Sequence, residues 1–79
     1  MNKSEVYVTG GLPRRLRGLR ENKRPLRSMT VTSQLIGLNP DALRKYERGE
    51  RVPTAEALMM IADFYHVSVD YLLGRTNYQ

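Results

Sequence analysis

LNPDALRKYERGER, residues 38–51, places Leu43 and Tyr46 three apart among Asp41, Arg44, Lys45 and Arg48, and breaks at Gly49. Residues at that spacing share one helix face. The segment therefore predicts a short third helix, Pro40 to Glu47, with Leu43 and Tyr46 inward and the charged residues outside. Asn39 suits its cap and Pro40 its first position, where a missing N–H is harmless. A helix with so little core leaves its outer face for another task.

Upstream, Ser28 is a fitting N-cap for a second helix through MTVTSQLI, and Gly37 supplies the left-handed backbone that ends it in a tight turn. The β-branched residues of this helix give it poor local propensity, so tertiary contacts must hold it. Before it, LPRRLRGLRENK spaces Leu12, Leu16 and Leu19 at i, i+4, i+7 with Pro13 in the first turn. This is an amphipathic first helix ending before Pro25. Gly18 within it costs up to about 1 kcal/mol relative to alanine. Residues 1–11, MNKSEVYVTGG, alternate briefly at Val6 and Val8 and close on Gly10 and Gly11. A lone strand has no pairing partner, so these residues read as a flexible or short extended N-terminal arm.

Downstream, a fourth helix opens at Thr54 after Pro53, with Glu56 where the helix dipole favours negative charge. Leu58, Ile61, Ala62 and Tyr65 form its expected core stripe, which Met59, Met60 and Phe64 widen. A fifth, short helix runs from Ser68 to Gly74 and carries Tyr71, Leu72 and Leu73. The tail RTNYQ shows no pattern. The organisation expected is all-α: an arm over 1–11, a five-helix domain over 12–75 and a tail over 76–79.

The 79 residues suffice for one core, and 41% hydrophobic with 27% charged residues is ordinary globular composition. The absence of cysteine excludes disulfides and thiolate zinc sites and suits the cytoplasm. The longest apolar run, Ala57 to Ala62, is far below the roughly 20 residues that span a bilayer. These features predict a soluble cytoplasmic protein without a membrane partner. The net charge is +5, unevenly placed. Residues 1–29 hold eight of the thirteen basic and two of the eight acidic side chains, a net +6 that leaves −1 on the rest. A basic domain favours a polyanion, nucleic acid first and an acidic membrane surface second.

The order of helix, glycine turn, helix, then KYERGERVPTAEALMMIADF and VSVDYLLGR, resembles the lambda-repressor-like, Cro-type helix-turn-helix family, also called the Xre family. The resemblance covers Leu12 to Arg75. It implies five helices and dimers whose subunits each read a half-site in the DNA major groove. It also implies that Arg20, in the LR pair of helix 1, and Glu47, in the YERG segment, form a structural ion pair between helices 1 and 3.

A helix-turn-helix needs a small residue and a glycine where its helices cross, and an apolar residue to fix their angle. Ser33, Gly37, Leu38 and Leu43 supply those parts. The outer face of helix 3 is then free to enter a groove about 12 Å wide. Arg44 and Lys45 can donate to guanine O6 and N7 or to phosphate. Asp41 can accept from cytosine N4, and Asn39 can cap, touch phosphate, or both. These four are the expected base-reading residues; the competing reading is a solvated face. Arg27, Ser28, Arg48 and Arg51 are the expected phosphate contacts, the first two at a helix N-terminus with free N–H groups.

Several positions depart from the family pattern. The connection ENKRPLR is about two residues longer than usual and adds Lys23, Arg24 and Arg27 to the DNA-proximal side if the docking holds. Met29 stands where a phosphate-bonding glutamine is usual, and its thioether cannot donate that bond. Thr32 replaces an apolar residue, a small loss if its hydroxyl back-bonds to the helix. Pro40 and Asp41 occupy positions where many relatives carry long readers.

His66 is the only histidine, and it sits where the resembled family turns out of helix 4 through glycine or asparagine; the resemblance thus implies a turn residue, whose positive φ histidine tolerates, rather than a metal ligand. No nucleophile with its base, phosphate-cradling loop or carboxylate dyad is present. The chain is expected to be neither an enzyme nor a binder of metal or cofactor. Two functions remain: a homodimeric, sequence-specific regulator of transcription, a repressor, on double-stranded DNA, and an antitoxin-like protein-interaction module on the same scaffold. The second would recruit a protein partner through Tyr71, Leu73, Tyr78 and the Val6 to Val8 arm.

Overall fold

The computed structural model describes residues 11–79; the arm, with Val6 and Val8, lies outside the described residues apart from Gly11. Five helices follow one another: α1 Leu12–Asn22, α2 Met29–Ile36, α3 Ala42–Glu47, α4 Ala55–Tyr65 and α5 Val69–Leu72, with no strand among the described residues. Serine and threonine start three of them. The side chains of Ser28, Thr54 and Ser68 accept hydrogen bonds from the N–H groups of Val31, Ala57 and Tyr71 at 3.1, 3.1 and 3.0 Å. Each satisfies a donor that the first helical turn leaves unpaired.

The ends of α2, α3, α4 and α5 share one device: a left-handed residue, Gly37, Gly49, His66 or Gly74, followed by a residue whose N–H reaches back five positions. This is the Schellman geometry. At α4 the left-handed residue is His66, φ 57°, and the Val67 N–H reaches the Ala62 carbonyl at 3.0 Å. Its role as a turn residue is thereby explained by backbone geometry alone.

The core joins Leu12 and Leu16 of α1, Ile36 of α2, Leu43 and Tyr46 of α3, Ile61 and Tyr65 of α4 and Leu72 of α5. Thr32 is buried, and its hydroxyl donates to the Ser28 carbonyl at 2.8 Å, which offsets the loss of an apolar side chain there. Met59 corrects the expected α4 stripe. It is 56% exposed, because the buried row runs through Ala57, Ile61, Ala62 and Tyr65 and position 59 points about 200° away from Ile61. Met60 instead lies partly buried against the core.

Tyr65 carries a buried hydroxyl with no hydrogen-bond partner among the described residues, and burial pushes its pKa up to about 12. The unfolded chain ionises this group first, near pH 10, so the share of stability it carries is present below that pH and is lost as pH rises towards 12. Tyr65→Phe is expected to melt no lower than wild type at neutral pH and to flatten the alkaline decline. Chemical denaturation at a series of pH values measures both.

The tail is part of the domain rather than an appendage. The Arg15 guanidinium donates to the carbonyls of Tyr71 and Thr76 at 3.1 and 2.9 Å and to Asn77 Oδ1 at 2.9 Å, while lying 4.5 Å from the Tyr71 ring centroid. The Ser68 N–H also donates to the Gln79 carbonyl at 3.0 Å. Arg15 thus joins α1 to α5 and to residues 76–77 of the tail.

Candidate nucleic-acid interface

The corner between α2 and α3 is set by Ser33 and Gly37. Ser33 is fully buried, and its Oγ accepts the Leu43 N–H at 3.1 Å. That N–H belongs to the first turn of α3, so the helix is capped from its neighbour. This corrects the expected start of the third helix. It begins at Ala42, not Pro40, and Asn39 does not cap it. Asn39 instead offers its carbonyl to the Ala42 N–H at 3.0 Å in a tight turn, and Asp41 stands at the cap position without a side-chain capping bond. The Asp41 backbone, φ −102° and ψ 10°, keeps residues 40–41 out of the helix.

Gly37 has φ +104°, and a Cβ there would lie 2.9 Å from Met60 Cε. Gly37→Ala therefore combines a conformational penalty with a collision against α4, softened by the flexible end of a methionine. The expected loss is above about 1 kcal/mol, beyond the usual range for glycine-to-alanine replacement. A urea titration would show it as a lower midpoint at unchanged slope.

With Leu43 fully buried and Tyr46 8% exposed, α3 is locked by its inner face. Its outer face carries Arg44 and Lys45, both partly exposed, beside the exposed Asp41. Asp41 Oδ2 lies 3.2 Å from Lys45 Nζ and 3.7 Å from Arg44 Nη2. The hydrogen bond and charge of Lys45 hold the Asp41 carboxyl below the usual carboxylate range. An open depression of about 340 Å³ gathers Asn39, Asp41 and Lys45 with Arg51 and, from α4 and its cap, Glu56 and Thr54. The structure so brings three of the four expected base-reading residues together with one expected phosphate contact; Arg44 joins them through Asp41.

The other expected phosphate contacts are spread out. Arg27 and Ser28 are exposed at the start of α2, where Ser28 already accepts the Val31 N–H and its backbone precedes the free end of the helix. Arg48 is 3.6 Å from Glu50. Arg27 and Arg51 have no acidic partner within 4.0 Å among the described residues. In the α1–α2 connection, Lys23 Nζ lies 5.0 Å from the Phe64 ring centroid, and Arg24 donates to the Glu21 carbonyl at 2.8 Å. Behind the face, Arg20 Nε and Nη2 donate to Glu47 Oε2 and Oε1 at 2.8 and 3.0 Å. This bidentate pair ties α1 to the last residue of α3.

Two features escaped the sequence reading. The Asp41 pairing was visible as acidic and basic residues at i, i+3 and i+4, a spacing that brings charges together on a helix. Arg15 gave no local signal, since its partners lie some 56 to 62 residues away.

Five short helices around a Ser33–Gly37 corner, with a charged outer face on the second helix of the pair, define a helix-turn-helix domain. A family model described as "Helix-turn-helix" matches residues 16–72. The chain belongs to this family, in its Xre, lambda-repressor-like form. It is similar to the HTH-type transcriptional regulator AnsR of Bacillus subtilis, with 42% identity over 48 residues, 61% of this chain and 41% of the relative. It is also similar to the cryptic phage CTXphi transcriptional repressor RstR of Vibrio cholerae, with 48% identity over 40 residues, 51% of this chain and 36% of the relative. The matched stretches span about two fifths of each relative.

Proposed function

We propose that the chain is a sequence-specific double-stranded DNA-binding regulator of transcription, a repressor, that reads the major groove with α3. The observation that carries this reading is the division of α3 into a buried inner face, Leu43 and Tyr46, and an outer face of Asp41, Arg44 and Lys45 whose charges, among the described residues, pair only with one another. In this reading Asn39, Asp41, Arg44 and Lys45 meet base edges, and Arg27, Ser28, Arg48 and Arg51 hold the backbone. Two relatives whose names include transcriptional regulator and transcriptional repressor support it. The working form is a cytoplasmic homodimer, because two-fold symmetry matches half-sites about one helical turn apart.

The protein-interaction alternative loses part of its surface. Tyr71 lies against the Arg15 guanidinium and Leu73 is partly buried, which leaves Tyr78, 87% exposed, from the three described residues it invoked. Titration of a generic duplex at two salt concentrations separates the readings. Groove docking through several phosphates loses affinity steeply as salt rises. Absence of binding at low salt would remove the regulator reading.

A further inference from the structure

We propose that Asp41 is a specificity-determining residue of the α3 face: it restrains Lys45 and Arg44 and so weakens attachment to DNA that offers only phosphates. The inference rests on the DNA-binding reading above and deepens it. Asp41 Oδ2 is 3.2 Å from Lys45 Nζ and 3.7 Å from Arg44 Nη2, so one carboxylate faces both cations of the outer face. It also lines the same depression as Asn39 and Arg51.

Consider what a duplex of unrelated sequence presents to this face. Phosphate oxygens attract Lys45 and Arg44 but repel the carboxylate between them, and each cation must give up part of its contact with Asp41 to be used. A duplex whose base edge offers an amino group, cytosine N4 or adenine N6, gives the carboxylate a donor of its own. The repulsion is then offset, and the two cations turn to neighbouring acceptors. Asp41 thus widens the gap between right and wrong sites by penalising the wrong ones. Its side chain makes no capping hydrogen bond to α3, so its charge is free of that structural task.

The test compares wild type with Asp41→Asn, which removes the charge and keeps the shape. Fluorescence anisotropy is read on a generic duplex and on a duplex selected from a random pool with the wild-type chain, across a salt series. Asp41→Asn is expected to bind the generic duplex about five- to tenfold more tightly near 0.1 M salt. The slope of log affinity against log salt should steepen by about 1 to 2, as one or two further phosphates are neutralised. The ratio of selected to generic affinity should fall at least about tenfold. In a Lys45→Ala background the gain on generic DNA should shrink, because Asp41 acts through that lysine. An unchanged slope and ratio, or weaker generic binding by Asp41→Asn, would overturn the inference. Wild type that binds neither duplex would instead overturn the DNA-binding reading beneath it.

Discussion

Arg20→Ala is expected to lower the melting temperature of the domain by roughly 12 to 24 °C, while leaving DNA affinity unchanged at temperatures where the variant is folded. The Arg20 fork meets both oxygens of Glu47 at 2.8 and 3.0 Å, and the two side chains are 19% and 6% exposed. Such a pair adds little net stability, since desolvating two charges offsets their attraction. Removing the arginine alone is different, because it strands the Glu47 carboxylate in a site that water barely reaches. The penalty is about 3 kcal/mol, the lower end of the range for buried pairs, because Arg20 keeps a fifth of its surface in solvent. For a domain of this size each kcal/mol moves the midpoint by about 4 to 8 °C. Replacing both partners with apolar residues of similar volume should recover most of the loss. A cooperative melt of Arg20→Ala at the wild-type temperature would contradict the assignment.

The second large effect separates reading from holding. Arg44→Ala should flatten preference at one base position by roughly 1 to 3 kcal/mol, the value of one good bidentate contact. Arg51→Ala should weaken all sequences by a similar factor and reduce the salt slope by about 1. Their settings differ in the required sense. Arg44 lies on α3 and is shared with Asp41, whereas Arg51 lies beyond the Gly49 turn with no acidic partner among the described residues. Identical profiles for both variants, measured on a panel of single-base-pair changes in a selected site, would abolish the division.

Much of this architecture was legible in the sequence because its signals are local. Ser28 and Thr54 cap α2 and α4 from their own first turns, and Gly37 and His66 end helices through their own backbones. What was misplaced depended on contacts between distant segments. The start of α3 moved from Pro40 to Ala42 because the Asp41 backbone, φ −102° and ψ 10°, keeps residues 40–41 out of the helix, and Ser33, ten residues upstream, accepts the Leu43 N–H of its first turn. Met59 moved outward because the axis of α4 is fixed by what Ile61 and Tyr65 pack against, which its own run of apolar residues does not reveal. Arg15 counted towards the basic amino-terminal third, yet its guanidinium is committed to the tail. The charge available to a polyanion is thus smaller than composition implies, and it is spread over Arg14 and Arg17 of α1, residues 24–27, α3 and Arg51.

In the proposed complex the outer face of α3 meets the duplex. Titrating a selected duplex into isotopically labelled protein and following backbone amide signals by NMR tests it residue by residue. The largest changes are expected on residues 39–45, with smaller ones at 27–30 and 48–51, while Tyr71, Asn77 and Tyr78 stay still. Changes centred on Arg15, Tyr71 and the tail, with α3 silent, would contradict it.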